Sequence, residues 1–304
     1  MQHSCLKLLL TYFNSLYIDR VNINLKTQNT THMKKILIPI AVSCFTALTF
    51  VACKKDSKAP PAADEISQST IARIKELGFG TGNVRKVAEG YLVEGDIVLT
   101  DDLLNSTPDQ SLLRIANNEQ YRTTNLVTHV PRTITIDITG LGSAYLQGAD
   151  IAIGRYNAQN LQINFQRITS GRADITIQGF NQGPSGGYIT LGSSGFPTRQ
   201  GNPYGTIKMN TNQYAYGTNP DPNYVGSVIQ HELGHCIGFR HTDYMDRSYS
   251  CGGAYSNEGA SNIGAILIPG TPSGPDANSW MLACSNGGDR TFNTNDKVAL
   301  NYLY

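Results

Sequence analysis

Charge is scarce in this chain. Only 15% of its 304 residues are charged and the formal net charge is +1, so there is no basic field to hold a nucleic-acid backbone. No internal repeat is visible, which leaves no basis for a repeat architecture. The one long apolar run covers about 17 residues, marginal for crossing a bilayer. Cysteine is sparse as well, six in all. What abounds is glycine, thirty residues, with many Ser, Thr, Asn and Tyr, the composition of a loop-rich exported protein. The length allows one large domain or two modest ones.

The apolar run sits in "MKKILIPIAVSCFTALTFVAC", residues 33–53. Two lysines, an apolar stretch and small residues before a cysteine are the layout of a secretory signal peptide, against which stands an uncleaved anchor. The ending "FVAC" resembles a bacterial lipoprotein box, with Phe50 where Leu is commoner. That resemblance implies signal cleavage after residue 52 and lipidation of Cys53. Residues 1–32 fit no export signal and read as an upstream extension, with Met33 the true start. Residues 53–66 read as a polar tether that cannot bury a core. The expectation is an exported bacterial lipoprotein of the cell envelope, meeting the membrane only through its lipid.

With Cys5 and Cys44 in discarded sequence, Cys236, Cys251 and Cys284 remain for an oxidising compartment where one disulfide is expected. Three pairings are open. Cys251 with Cys284 is favoured, because Cys236 lies inside a helix described below.

Apolar spacing predicts a helix in 67–80, short strands around Glu94-Gly95 and a strand at 132–138. It then predicts a helix in 146–158, strands at 161–168 and 173–180, a helix over 224–239 and a closing helix at 294–304. The Gly, Pro and Ser of 181–206 predict loop with at most one short edge strand. This order is α+β with a mixed sheet.

The chemistry concentrates in "HELGHCIGFRHTD", residues 231–243. On a helix His231 and His235 share a face, so both imidazoles can aim at one metal ion, and zinc suits them. Glu232, beside the first ligand, is placed to act as a general base. Gly238 can take the left-handed conformation that ends the helix and brings His241 round as a third ligand. Three histidines leave a fourth position open, as catalytic sites do. HExxH alone arises by chance in roughly one per cent of chains this long, and Gly and His at the right offsets lower that about a thousandfold.

The pattern HExxHxxGxxH resembles the metzincin metalloproteases. "SWMLAC" puts Met281 forty residues after His241, where that family carries a methionine turn beneath the metal. "FNTNDKVALNYLY", with Asp296, is similar to its closing helix. "HELGHCIGFRHTDYMDRS", "IPGTP" and "SWMLAC" together resemble the bacterial dual-action HEIGH metallopeptidases, with Leu233 where the family name has Ile. The resemblance, spanning about 67–304, implies a metzincin-like fold: a mixed twisted sheet, an active-site helix and a C-terminal helix. It implies zinc-dependent cleavage of protein or peptide substrates. A small prosegment, 67–125, would precede a catalytic domain, 126–304, divided into upper 126–238 and lower 239–304 parts. The substrate would lie along an edge strand from 185–210.

Three positions stay open on sequence. Where astacin-like relatives carry a tyrosine after the methionine turn, this chain has Ala283; Tyr244 and Tyr249 are the alternatives. Asp243 reads either as an acceptor orienting His241 or as a turn residue. "LVEGDIVL", residues 92–99, resembles the astacin prosegment motif that lays an aspartate on the metal. Asp96 would be that latch, although Val93 replaces the motif's Phe and an ordinary Gly-Asp turn fits as well. The prosegment offers no cysteine for a thiolate latch. No segment argues for calcium, and the rival function is a surface adhesion lipoprotein with a structural zinc. Oligomeric state has no signature in the sequence.

Overall fold

The computed structural model describes residues 66–106, 120–258, 265–272 and 274–304. Residues 1–65, which hold the stretches read as upstream extension, signal peptide and almost all of the tether with Cys53, and residues 107–119 of the stretch read as prosegment lie outside them. Among the described residues no helix is long and apolar enough to cross a membrane.

The stretch read as prosegment opens with α1 (Gln68–Glu76), capped by the Ser67 hydroxyl accepting from the Thr70 amide. β1 (Arg85–Val87), β2 (Gly90–Val93) and β3 (Ile97–Leu99) form an antiparallel sheet, followed by α2 (Asp101–Leu104). Ile74, Leu77, Phe79, Val93, Ile97, Leu99 and Leu104 bury one another into a small core of their own. Phe196 joins it from the stretch read as the catalytic domain.

β4 (Tyr121–Arg122) falls within the stretch read as prosegment, yet pairs with β10 (Ile266–Leu267). Its Tyr121 packs edge-on against Tyr244, ring centroids 4.3 Å apart. This strand is therefore knitted into the lower half.

The main sheet holds β5 (Arg132–Thr139), β6 (Ile163–Arg167), β7 (Ile175–Phe180), β8 (Gly192–Ser193) and β9 (Thr206–Asn210). Its order is β6-β5-β7-β9-β8, with the first four parallel and β8 antiparallel at the edge. It is the mixed sheet that the order of elements predicts. β9 was not predicted, because it is only five residues long and adjoins the Gly, Pro and Ser stretch read as loop. Ile207 and Met209 still bury completely, since side chains alternate faces along a strand.

Two helices back the sheet, α3 (Ser143–Asn157) and α5 (Pro222–Ile237). They approach closely through Gly148 and Gly226: a Cβ added at Gly148 would meet the Gly226 nitrogen at 2.9 Å. Ile229, Leu233 and Ile237 of α5 are fully buried, each contributing about 1.5–3 kcal/mol of apolar burial. Asp221 caps α5 and Pro222 starts it, as helix N-termini favour. α4 (Gln213–Tyr216) and α6 (Ser248–Cys251) are single turns, and α7 (Thr294–Leu303) closes the chain. The disulfide joins Cys251 to Cys284, and Cys236 is a free, buried thiol.

Candidate metal centre

Helix α5 places His231 and His235 one turn apart, and Gly238 ends it with φ 110°. That left-handed conformation suits glycine, and the space demands it too. A Cβ there would lie 2.7 Å from Leu126 Cδ2 and 3.0 Å from the Asn125 carbonyl oxygen. The chain then turns back and brings His241 to the other two.

Each imidazole is held from behind. His231 Nδ1 lies 2.9 Å from the Trp280 carbonyl oxygen and His235 Nδ1 2.8 Å from that of Phe239. A carbonyl only accepts, so both Nδ1 atoms carry the proton and both Nε2 lone pairs face inward. His241 Nδ1 lies 3.0 Å from Glu258 Oε1 and donates to it, and its Nε2 turns inward to 3.2 Å from Asp96 Oδ2. Acceptors for the second ring N–H fix ligand orientation and raise basicity.

The inward atoms are spaced for one ion. His235 Nε2 and His241 Nε2 are 3.2 Å apart; a tetrahedral ion with nitrogens at 2.0–2.1 Å requires about 3.3 Å. Asp96 Oδ2 stands 3.2 Å from His241 Nε2 and 3.5 Å from His231 Nε2. The three histidines and Asp96 thus offer four donor atoms mutually within 4.8 Å. His231 Nε2 and Asp96 Oδ1 are buried without a hydrogen-bond partner, as expected of groups prepared for an ion. The donor set fits a metal that accepts imidazole nitrogen.

Electrostatics act on the histidines in opposite directions. Burial, with His231 and His241 beside it, pushes the His235 imidazole well below its usual range, keeping it neutral as ligation requires. Burial works to raise the Asp96 carboxyl, but His241, His231 and His235 hold it well below the carboxylate range. Burial pulls His241 down, while Glu258 and Asp96 more than reverse this. Glu258 itself is held at about 2: burial would raise it, and His241, Arg247 and Arg240 win.

Glu232 is buried on the same helix. The Ser194 hydroxyl donates to Glu232 Oε2 at 2.7 Å and lies 3.0 Å from the Glu232 carbonyl oxygen. Burial, then Asp96, push the Glu232 carboxyl well up. Gly192 in β8 makes the room: a Cβ there would stand 2.7 Å from Glu232 Oε1.

Met281 lies under α5, its sulfur 2.6 Å from where a Cβ on Gly234 would be. Its carbonyl accepts from the Thr242 amide at 2.8 Å. The turn is tied to α7 by buried Asp296, which accepts from Gln120 Nε2 at 2.6 Å, Ser279 Oγ at 3.0 Å and the Trp280 amide at 3.3 Å. Burial lifts this carboxyl to about 6 against the pull of Asn293, Ser279 and Trp280. Tyr304 donates from its hydroxyl to the Ile237 carbonyl at the end of α5.

One assignment changes. Asp243 does not orient His241; it accepts from the Ala283 amide at 2.9 Å and from Ser250 Oγ at 2.5 Å, joining the methionine turn to the disulfide region. The acceptor for His241 is Glu258, which the sequence gives no signal for. It stands in an irregular stretch 17 residues on, and only folding brings it back. Tyr244 is used in packing against Tyr121, and Tyr249 is exposed. Replacing Glu258 with Gln should lower metal affinity about 10–100-fold, read by competition with a chromogenic chelator. Unchanged affinity would deny the carboxylate its positioning role.

Residues 91–304 match the profile of the dual-action HEIGH metallo-peptidase family. Two solved structures of myroilysin also resemble the chain. One is 17% identical with TM-score 0.39 and covers 60% of this chain and 97% of its own. The other is 15% identical with TM-score 0.37 and covers 60% and 86%. No curated protein matches the sequence.

Proposed function

Because the chain belongs to the dual-action HEIGH metallo-peptidase family, we propose that it is a metzincin-type zinc endopeptidase made as a latent precursor. The observation that carries this is the convergence of His231, His235 and His241 on one point with Glu232 buried on the same helix. His231, His235 and His241 would hold zinc through their Nε2 atoms, and the ion would supply Lewis acidity toward the scissile carbonyl and toward water. Glu232 takes the proton from the attacking water and passes it to the leaving nitrogen. Ser194 holds Glu232 Oε2 and so fixes the carboxylate that receives the proton. Glu258 and the two backbone carbonyls keep the imidazoles in the ligating tautomer.

Latency rests on Asp96. The Ser194 amide donates to the Asp96 carbonyl at 2.9 Å and the Val98 amide to the Ser194 carbonyl at 2.6 Å. The prosegment thus adds a strand alongside β8, the edge available for an extended substrate, and sets its carboxylate among the histidines. Export as a lipoprotein through Cys53 completes the reading; it would place a protease for proteins or peptides at the cell envelope.

Removal of the metal tests this. A chelator should abolish casein hydrolysis by the processed chain, and stoichiometric zinc should restore it. Hydrolysis that survives metal removal would contradict the proposal.

A further inference from the structure

We propose that Arg240 and Arg247 form a subsite for an acidic side chain of the substrate, occupied in the precursor by Glu94. This rests on the peptidase reading above and specifies its substrate class.

Arg240 immediately precedes the ligand His241 and is wholly buried. Tyr244 flanks its guanidinium at 5.7 Å, and two prosegment residues cover it. The Phe79 ring lies 4.8 Å away, and Glu94 Oε2 reaches Arg240 Nη2 at 3.6 Å. A guanidinium this deep requires charge and aromatic partners, and the prosegment supplies one of each. Processing would remove both.

Within the catalytic part, Glu258 is shared. It stands 3.6 Å from Arg240, 2.8 Å from Arg247 and 3.0 Å from His241 Nδ1. Two guanidiniums thus face one carboxylate that is also bound to an imidazole. Departure of Glu94 takes one carboxyl group away from Arg240 beside the histidines, leaving a place where a substrate carboxylate can meet a guanidinium.

The backbone supports the assignment. Glu94 has φ 56°, a left-handed conformation that costs a residue with a Cβ about 1 kcal/mol. Glycine or asparagine would adopt it more cheaply. Glutamate is held there with its carboxyl at Arg240 and at the Gly80 amide, 3.2 Å away, although burial and the facing Glu258 push that carboxyl well up against the pull of Arg240. Glu94 lies two residues from Asp96, so the substrate side chain concerned lies within two residues of the scissile bond. Because Glu258 takes part of the arginine charge, the preference should be modest.

The full chain, nicked in its prosegment by limited proteolysis and loaded with zinc, is given a peptide library whose cleavage sites are read by mass spectrometry. Asp and Glu should be enriched over Asn and Gln about fivefold at one such position, and Arg240→Gln should erase the enrichment. Zinc content of the variant checks that His241 still ligates. A second arm leaves the protein unchanged: the peptide GYLVEGDIVL, residues 90–99, should inhibit about fivefold better than its Glu94→Gln version. Cleavage without acidic enrichment, or equal inhibition by both peptides, overturns the subsite and leaves the peptidase standing. No cleavage of any peptide overturns the peptidase reading and the subsite with it.

Discussion

Replacing Glu232 with Gln is expected to lower peptide hydrolysis by about 10²–10⁴-fold, the contribution of a positioned general base, with zinc still bound. Glutamine is nearly isosteric and keeps an oxygen for the Ser194 hydroxyl, so the buried site need not rearrange. It cannot take a proton. Glu232 is not among the four groups whose donor atoms converge, so metal content should match the wild type. The measurement is initial rate on casein, with zinc determined on the same sample. Full activity in a zinc-loaded variant would remove Glu232 from the mechanism.

Replacing Asp96 with Ala in the full chain should raise activity about 10–100-fold. Its Oδ2 stands among the histidines, 3.2 Å from His241 Nε2 and 3.5 Å from His231 Nε2, and loss of one charge-assisted interaction of about 1.5–3 kcal/mol, converted at 1.4 kcal/mol per tenfold change, gives that range. The prosegment core of Ile74, Leu77, Phe79, Val93, Ile97, Leu99 and Leu104 does not include Asp96, so the segment should stay folded while its grip weakens. The assay compares unprocessed variant with unprocessed wild type. Equal, negligible activity in both would show that the segment blocks the site by covering it, without a latch. High activity in unprocessed wild type would dispose of latency.

The metal helix was legible in the sequence because its ligands are local: one helical turn and one glycine turn fix all three histidines. The Cys251–Cys284 pair was favoured among three open pairings and is the one formed, with Cys236 buried in α5 as a free thiol. What supports these residues was not legible. Ser194 and Gly192 shape the pocket of Glu232, yet they sit in a stretch whose glycine, proline and serine content reads as loop. Glu258 and Asp243 differ in the same way. Asp243 is two residues from a ligand and points elsewhere; Glu258 is distant in sequence and touches His241. Proximity in sequence predicts contact along a helix and fails across irregular chain. Strand β9 was missed because it is short and adjoins the stretch read as loop. Lys208 reaches Glu89 at 2.9 Å, so its charge is answered by tertiary structure that composition does not contain.

The central claim is that the three-histidine centre is catalytic rather than a structural zinc in an adhesion lipoprotein. One measurement separates these: zinc per chain and casein hydrolysis on a single preparation of processed protein. The account predicts one zinc per chain together with chelator-sensitive hydrolysis. One tightly held zinc with no hydrolysis, after the prosegment is gone, would contradict it.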